Sequence, residues 1–210
     1  MLTRLVGLGA VSVFLAACST EQQQPMPTEF EVTVPLYFVG GNADFNLGTH
    51  LTGDEEVFTP ATAGAPTPAD SRGQGQATFR VNALGTSVDF RLMATNIENI
   101  TQSHIHCGRP GENGPIRMWL YPNIGPSGTA LTVANGRHDG VLASGTFNPT
   151  GVVCPASAVG SNMALLAAIR AGLTYVNVHT NDFVAPTNTG PGDFPGGEIR
   201  GQLDHPAGSQ

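Results

Sequence analysis

Residues 76–97 read QATFRVNALGTSVDFRLMATNI. Ala77, Phe79 and Val81 alternate with polar neighbours, and Val88, Phe90 and Leu92 do the same beyond Leu84-Gly85-Thr86. Alternation at a period of two puts each trio on one face of a strand, and the glycine-containing link reads as a turn. The segment is therefore expected to form an antiparallel β-hairpin with one face in a core.

The same pattern recurs outward in both directions. Residues 101–108 (TQSHIHCG) read as extended chain entering a Gly/Pro loop, and 115–122 (PIRMWLYP) as a strand with Ile116, Met118 and Leu120 on one face. Residues 139–149 (DGVLASGTFNP), 173–180 (LTYVNVHT) and 196–204 (GGEIRGQLD) supply three further candidates. Upstream, 30–39 (FEVTVPLYFV) alternates too, with Pro35 assigning it to an edge or a bulge. Residues 49–75 read mostly as loop, with a short extended piece at the start. One stretch departs from period two: SNMALLAAIRAG predicts a helix over about 161–171, with Ser161 as N-cap and Gly172 as stop. Short strands joined by Gly- and Pro-rich turns predict an all-β fold, an antiparallel Greek-key-like sandwich or barrel carrying one short helix.

Composition narrows the function classes. The 210-residue chain has only 12% charged residues and a formal net charge of -7. A nucleic-acid partner needs a basic face to neutralise phosphates, which this balance does not offer. The first twenty residues, MLTRLVGLGAVSVFLAACST, place Arg4 before an apolar run too short to span a bilayer comfortably. They suit an export signal. The ending Leu15-Ala16-Ala17-Cys18 resembles a bacterial lipobox, which implies lipidation of Cys18. The expected organisation is a lipoprotein signal peptide over 1–18, a flexible tether over 19–29, a β domain over 30–204 and a tail over 205–210. The expected location is the bacterial cell envelope, at the outer membrane if the organism is diderm. The membrane, reached through the lipid anchor, and an unidentified protein or other envelope component are the expected partners.

Export bears on the cysteines. With Cys18 lipidated, Cys107 and Cys154 remain, and an oxidising compartment favours a disulfide between them over two buried thiols.

Three stretches, SHIHCGRPGENGPI (103–116), AGLTYVNVHT (171–180) and FPGGEIRGQL (194–203), occur in an order and spacing that resemble the CHRD domain, first named in chordin and also found in bacterial exported proteins. LTGDEEVFTPATAGA (51–65) resembles that family's N-terminal stretch. The resemblance runs from about residue 30 to 204 and implies an all-β extracytoplasmic domain without an established activity. The loop over 181–197 is longer than the family's usual link, and Cys107 directly after the His-x-His suggests a local disulfide.

The candidate site follows from strand alternation. His104 and His106 share a face, as do Tyr175, Asn177 and His179, and Glu198, Arg200 and Gln202. If these strands are neighbours, His104, His106, His179 and Glu198 converge, and three imidazoles with a carboxylate suit copper or zinc. Cu,Zn superoxide dismutases are similar in carrying a His-x-His on a strand near a disulfide, but their His-rich zinc loop has no counterpart here. The competing reading is structural: Asn177, Arg200 and Gln202, with the histidines, satisfy loop carbonyls as a buried polar network. Asp54, Glu55 and Glu56 lack EF-hand spacing and read as a solvated acidic turn. No Gly-x-Ser-x-Gly elbow is present, and Ser103 beside His104 does not make a triad. The residues thus favour a non-enzymatic structural or binding module, with a metal-binding protein bearing a dismutase-like His-x-His as the rival.

Overall fold

The computed structural model describes residues 45–122 and 134–203. The expected signal peptide, Cys18, the tether, the expected strand over 30–39 and the tail lie outside the described residues. The described elements are strands β1 (Phe45–Thr52), β2 (Gln74–Val81), β3 (Val88–Cys107), β4 (Ile116–Tyr121), β5 (Ala134–Phe147) and β6 (Val153–Cys154), helix α1 (Ala156–Val159), strand β7 (Met163–Ala164), helix α2 (Leu165–Arg170), and strands β8 (Thr174–Thr180) and β9 (Ile199–Leu203).

The hairpin forms where alternation puts it. Ala77, Phe79 and Val81 of β2 face Leu92, Phe90 and Val88 of β3, and all six are buried. The turn between them is held by Asn82, whose side-chain oxygen accepts from the backbone N–H of Thr86 and Ser87 at 2.9 and 3.1 Å. Gly85 takes φ +67° there, a conformation that costs glycine little.

Strand β3 organises the rest. Alternation suggested two separate pieces, but Val88–Cys107 is a single strand of 20 residues. Asn96 and Asn99 adopt φ +55° and +53°, and the register with β5 shifts at both places. Asparagine tolerates the left-handed region, so the strand bends at these bulges without ending. Its first half pairs with β2 and its second half with β8. Strands β8–β9–β1–β2 complete the circuit, closing a five-stranded antiparallel barrel with β4 and β5 as additional strands on β3. Its interior holds Leu47 and Leu51 from β1, Ile105 from β3, Val176 and Val178 from β8, and Ile199 and Leu203 from β9.

The helical segment differs from expectation. Helix α2 covers only Leu165–Arg170, its N-cap is Ala164 rather than Ser161, and a second short helix, α1, precedes it. Met163 and Ala164 are extended because they pair with Cys154 and Val153. A disulfide joins Cys107, the last residue of β3, to Cys154 and so ties this segment to the barrel. Closing its 47-residue separation restricts the unfolded chain by about 4 kcal/mol in the loop-entropy account. Met163 and Ala164 are taken up by the β6–β7 pairing, and the helix starts after it.

Candidate metal centre

The seam between β3 and β8 fixes the site. His104 sits opposite Asn177, His106 opposite Tyr175, and Gln102 opposite His179. These side chains leave the sheet on the face opposite Ile105, Val176 and Val178. Arg200 and Gln202 of β9 join them, because Arg200 pairs with Asn177 and Gln202 with Tyr175.

On this face His104, His106 and His179 each offer a ring nitrogen, and the three nitrogens lie within 4.8 Å of one another. The His104 ring packs against His106 and His179 with centroids 5.4 and 5.0 Å apart. Trp119 of β4 stands edge to face on His104 at 4.2 Å, which gives the chain's single tryptophan a place against the site. All three histidines are buried, at 0%, 7% and 6% exposure.

Two of the rings are oriented by backbone carbonyls. His106 Nδ1 lies 2.8 Å from the Gly114 carbonyl oxygen, and His179 Nδ1 lies 2.9 Å from that of Pro195. Each Nδ1 therefore carries the proton and donates, leaving a lone pair on Nε2. Gly114 is needed at this approach, because a Cβ there would overlap the Cys107 carbonyl. His106 Nε2 and both nitrogens of His104 are buried with no hydrogen-bond partner. Such atoms cost about 1–3 kcal/mol each when left unmade, and native folds seldom tolerate several together. An ion at about 2.0–2.1 Å from each donor nitrogen would use the three lone pairs, with the rings closing by up to roughly an ångström.

The site disfavours protonation. Burial, with the neighbouring His179 and His106, pushes His104 down to about 2. Burial likewise lowers His179 to about 4, and lowers His106 against the opposing Gly114 hydrogen bond. The rings are thus neutral near neutral pH, the form that binds metal.

Glu198 takes a different place from the one alternation suggested. It precedes β9, and its carboxylate accepts from Ser71 Oγ at 2.5 Å, Thr180 Oγ1 at 2.6 Å and the Gly192 N–H at 2.8 Å. Thr180 belongs to the Val176/Val178 side of β8, so this carboxylate is not part of the histidine cluster and is held by three donors of its own.

The carboxylate near the histidines is Glu56. Asp54 and Glu55 are exposed, as a solvated acidic turn requires, but the Glu56 side chain turns inward. Its Oε2 is buried and has no hydrogen-bond partner. It lies against Gly197, where a Cβ would overlap the Glu56 carboxylate and crowd the Asn177 amide. Burial raises Glu56 to about 7, against the lowering effect of Arg200 and of the nearby Val57 backbone and Asn177 amide. Asn177 Oδ1 in turn lies 3.0 Å from His179 Nε2. With the His179 proton on Nδ1, that contact becomes a hydrogen bond only if the amide turns over and donates from Nδ2. Its oxygen then meets Glu56, which suits a protonated carboxyl. A metal on His179 Nε2 would displace this amide. The inward turn of Glu56 had no local signature, since three acidic residues in a row look alike.

Arg200 and Gln202 work on the covering loop. Arg200, 1% exposed, donates to Asn113 Oδ1 and to the carbonyls of Arg109 and Glu112, all within 3.3 Å. Its guanidinium lies 3.5 Å from the Tyr175 ring centroid, and Tyr175 stacks on His106 at 4.7 Å with planes 11° apart. Gln202 Nε2 donates to the carbonyls of Gly108 and Gly172 at 2.9 and 2.8 Å. Side chains of β9 thus hold the 108–115 loop down over the histidines.

No curated protein and no solved structure matches this chain. Residues 47–187 match the CHRD domain, a span that includes Glu56, His104, His106, Asn177 and His179. The chain belongs to the CHRD domain family.

Proposed function

We propose that this protein is an exported, lipid-anchored module of the bacterial cell envelope whose CHRD domain binds copper or zinc through His104, His106 and His179. Family membership fits a binding or structural module. The observation that carries the finer reading is the convergence of three buried, neutral imidazoles with their nitrogens within 4.8 Å, two of the rings held by backbone carbonyls. A purely structural network would leave fewer of these atoms without partners.

Holding an ion is favoured over turnover. Metal-assisted catalysis needs a coordination position that substrate can reach. All three rings are buried and the 108–115 loop is tied across them. The anchor is a lipid on Cys18, in the stretch Leu15-Ala16-Ala17-Cys18.

The test is a metal count. The protein, kept oxidised, is incubated with Cu²⁺ or Zn²⁺, dialysed and measured by mass spectrometry beside a variant with His104, His106 and His179 all changed to Ala. About one ion per wild-type chain and none in the variant is expected. Equal retention by both would overturn the assignment. Metabolic labelling with a radioactive fatty acid, lost in Cys18→Ala, tests the anchor.

A further inference from the structure

The geometry points to Glu56 as the residue that makes this centre selective for divalent over monovalent ions, by supplying the buried negative charge that compensates the metal. This rests on the metal-binding reading above.

Three neutral imidazoles bring no charge, so a divalent ion would keep its full charge in a buried site. Arg200, also buried, adds a further positive charge; its hydrogen-bond acceptors Asn113 Oδ1, Arg109 O, Glu112 O and Gln202 Oε1 are neutral, and the carboxylates that act on it are those of Glu56 and Glu55. Uncompensated buried charge is strongly unfavourable. Glu198 cannot serve, because its carboxylate is held by Ser71, Thr180 and Gly192.

Glu56 is placed to serve. Its Oε2 is buried and without a partner, like the free nitrogens of His104 and His106. It shares the surface of Gly197 with the Asn177 amide, and Asn177 reaches His179 Nε2. Gly197, at φ +134°, leaves the space that a side chain would take from both. Phe58, two residues on, packs edge to face on Phe194 at 5.8 Å and fixes the turn against the 181–197 loop. Glu56 therefore acts through its charge, without being counted among the three ligands. Monovalent Cu⁺ gains less from this charge than Zn²⁺ does.

The experiment measures Zn²⁺ and Cu⁺ affinities by chelator competition for wild type, Glu56→Gln and Glu56→Asp, with Cu⁺ kept reduced by ascorbate under anaerobic conditions. Gln is isosteric with the neutral carboxyl, so the fold should persist, and far-UV circular dichroism checks it. Glu56→Gln is expected to lose about 10–100-fold in Zn²⁺ affinity, the range typical of groups that support metal ligands, with Cu⁺ changed by less than about threefold. Glu56→Asp keeps the charge and should recover part of the Zn²⁺ loss. Unchanged Zn²⁺ binding in Glu56→Gln, or an equal loss for both ions, overturns the role of charge. If wild type binds neither ion, the metal reading fails first and this inference falls with it.

Discussion

Strand β8 is buried at every one of its seven residues, yet its two faces are buried in different ways. Val176 and Val178 face the barrel interior, where Ile105, Ile199 and Leu203 fill the space with apolar side chains. Tyr175, Asn177 and His179 face outward and are covered by loops and by Arg200. The inner face is mostly apolar; of its two threonines, Thr180 donates to Glu198 and Thr174 Oγ1 alone lacks a partner. The outer face gathers Glu56 Oε2, both nitrogens of His104 and Nε2 of His106 without partners. One isolated unmet hydroxyl is a cost that a packed fold absorbs; four unmet polar atoms gathered in one place need another reason, and a bound ion supplies one.

The contrast can be broken most forcefully from inside. Ile105→Ala removes a fully buried side chain from the inner face and should cost about 2–5 kcal/mol in denaturant unfolding. Zinc should still stabilise this variant as it does wild type, by about 2.7 kcal/mol at a hundredfold excess over Kd. Failure of zinc to stabilise a folded Ile105→Ala protein would mean that the two faces are not separable.

Acid should act on the outer face. His104 and His179 sit at about 2 and 4 in the fold, against 6.5 for an exposed histidine. Between those values the unfolded chain binds more protons, so stability of the metal-free protein falls as pH drops below 6.5. Glu56, raised from 4.5 to about 7, works in the opposite sense and loses stability as pH rises through that window. Three depressed histidines outweigh one raised carboxyl, so the melting temperature of the metal-free protein should decline between pH 7 and pH 5. These rings are already neutral in the fold across this window, so zinc displaces no proton from them and the histidine-driven decline should have the same slope in the loaded protein. A flat profile would contradict the buried neutral triad.

The smallest effect is the most diagnostic. His104→Leu keeps much of the volume and removes both partnerless nitrogens. The metal-free variant should be as stable as wild type or more stable by about 1 kcal/mol, while its zinc stabilisation disappears. A loss of several kcal/mol without metal would assign His104 to the structural network instead.

Much of the inner face was legible in the sequence. The alternation of Ala77, Phe79 and Val81 against Val88, Phe90 and Leu92 is an interior pattern, and those residues meet in register. The shared face of His104 with His106, and of Tyr175 with Asn177 and His179, was equally readable from period two. What alternation could not supply was which strands are neighbours, and the register of β8 on β3 is what brings His179 to the other two. Glu198 was misplaced because it precedes β9, where the chain turns at Gly197 and strand alternation no longer governs its side chain. The helix over 161–171 was overextended because the β6–β7 pairing beside Cys154 outweighs local helix propensity at Met163 and Ala164. Glu56 was hidden among equal neighbours, since only the fold decides which member of an acidic run turns inward.

The most direct test of a metal centre on the outer face is X-ray absorption at the zinc edge of the loaded wild-type protein. Three imidazole rings bound through nitrogen at about 2.0–2.1 Å are predicted, with the multiple-scattering pattern of histidine reduced in His106→Ala. A shell of oxygen ligands alone, or a histidine pattern unaffected by that substitution, would place the ion elsewhere and contradict the account.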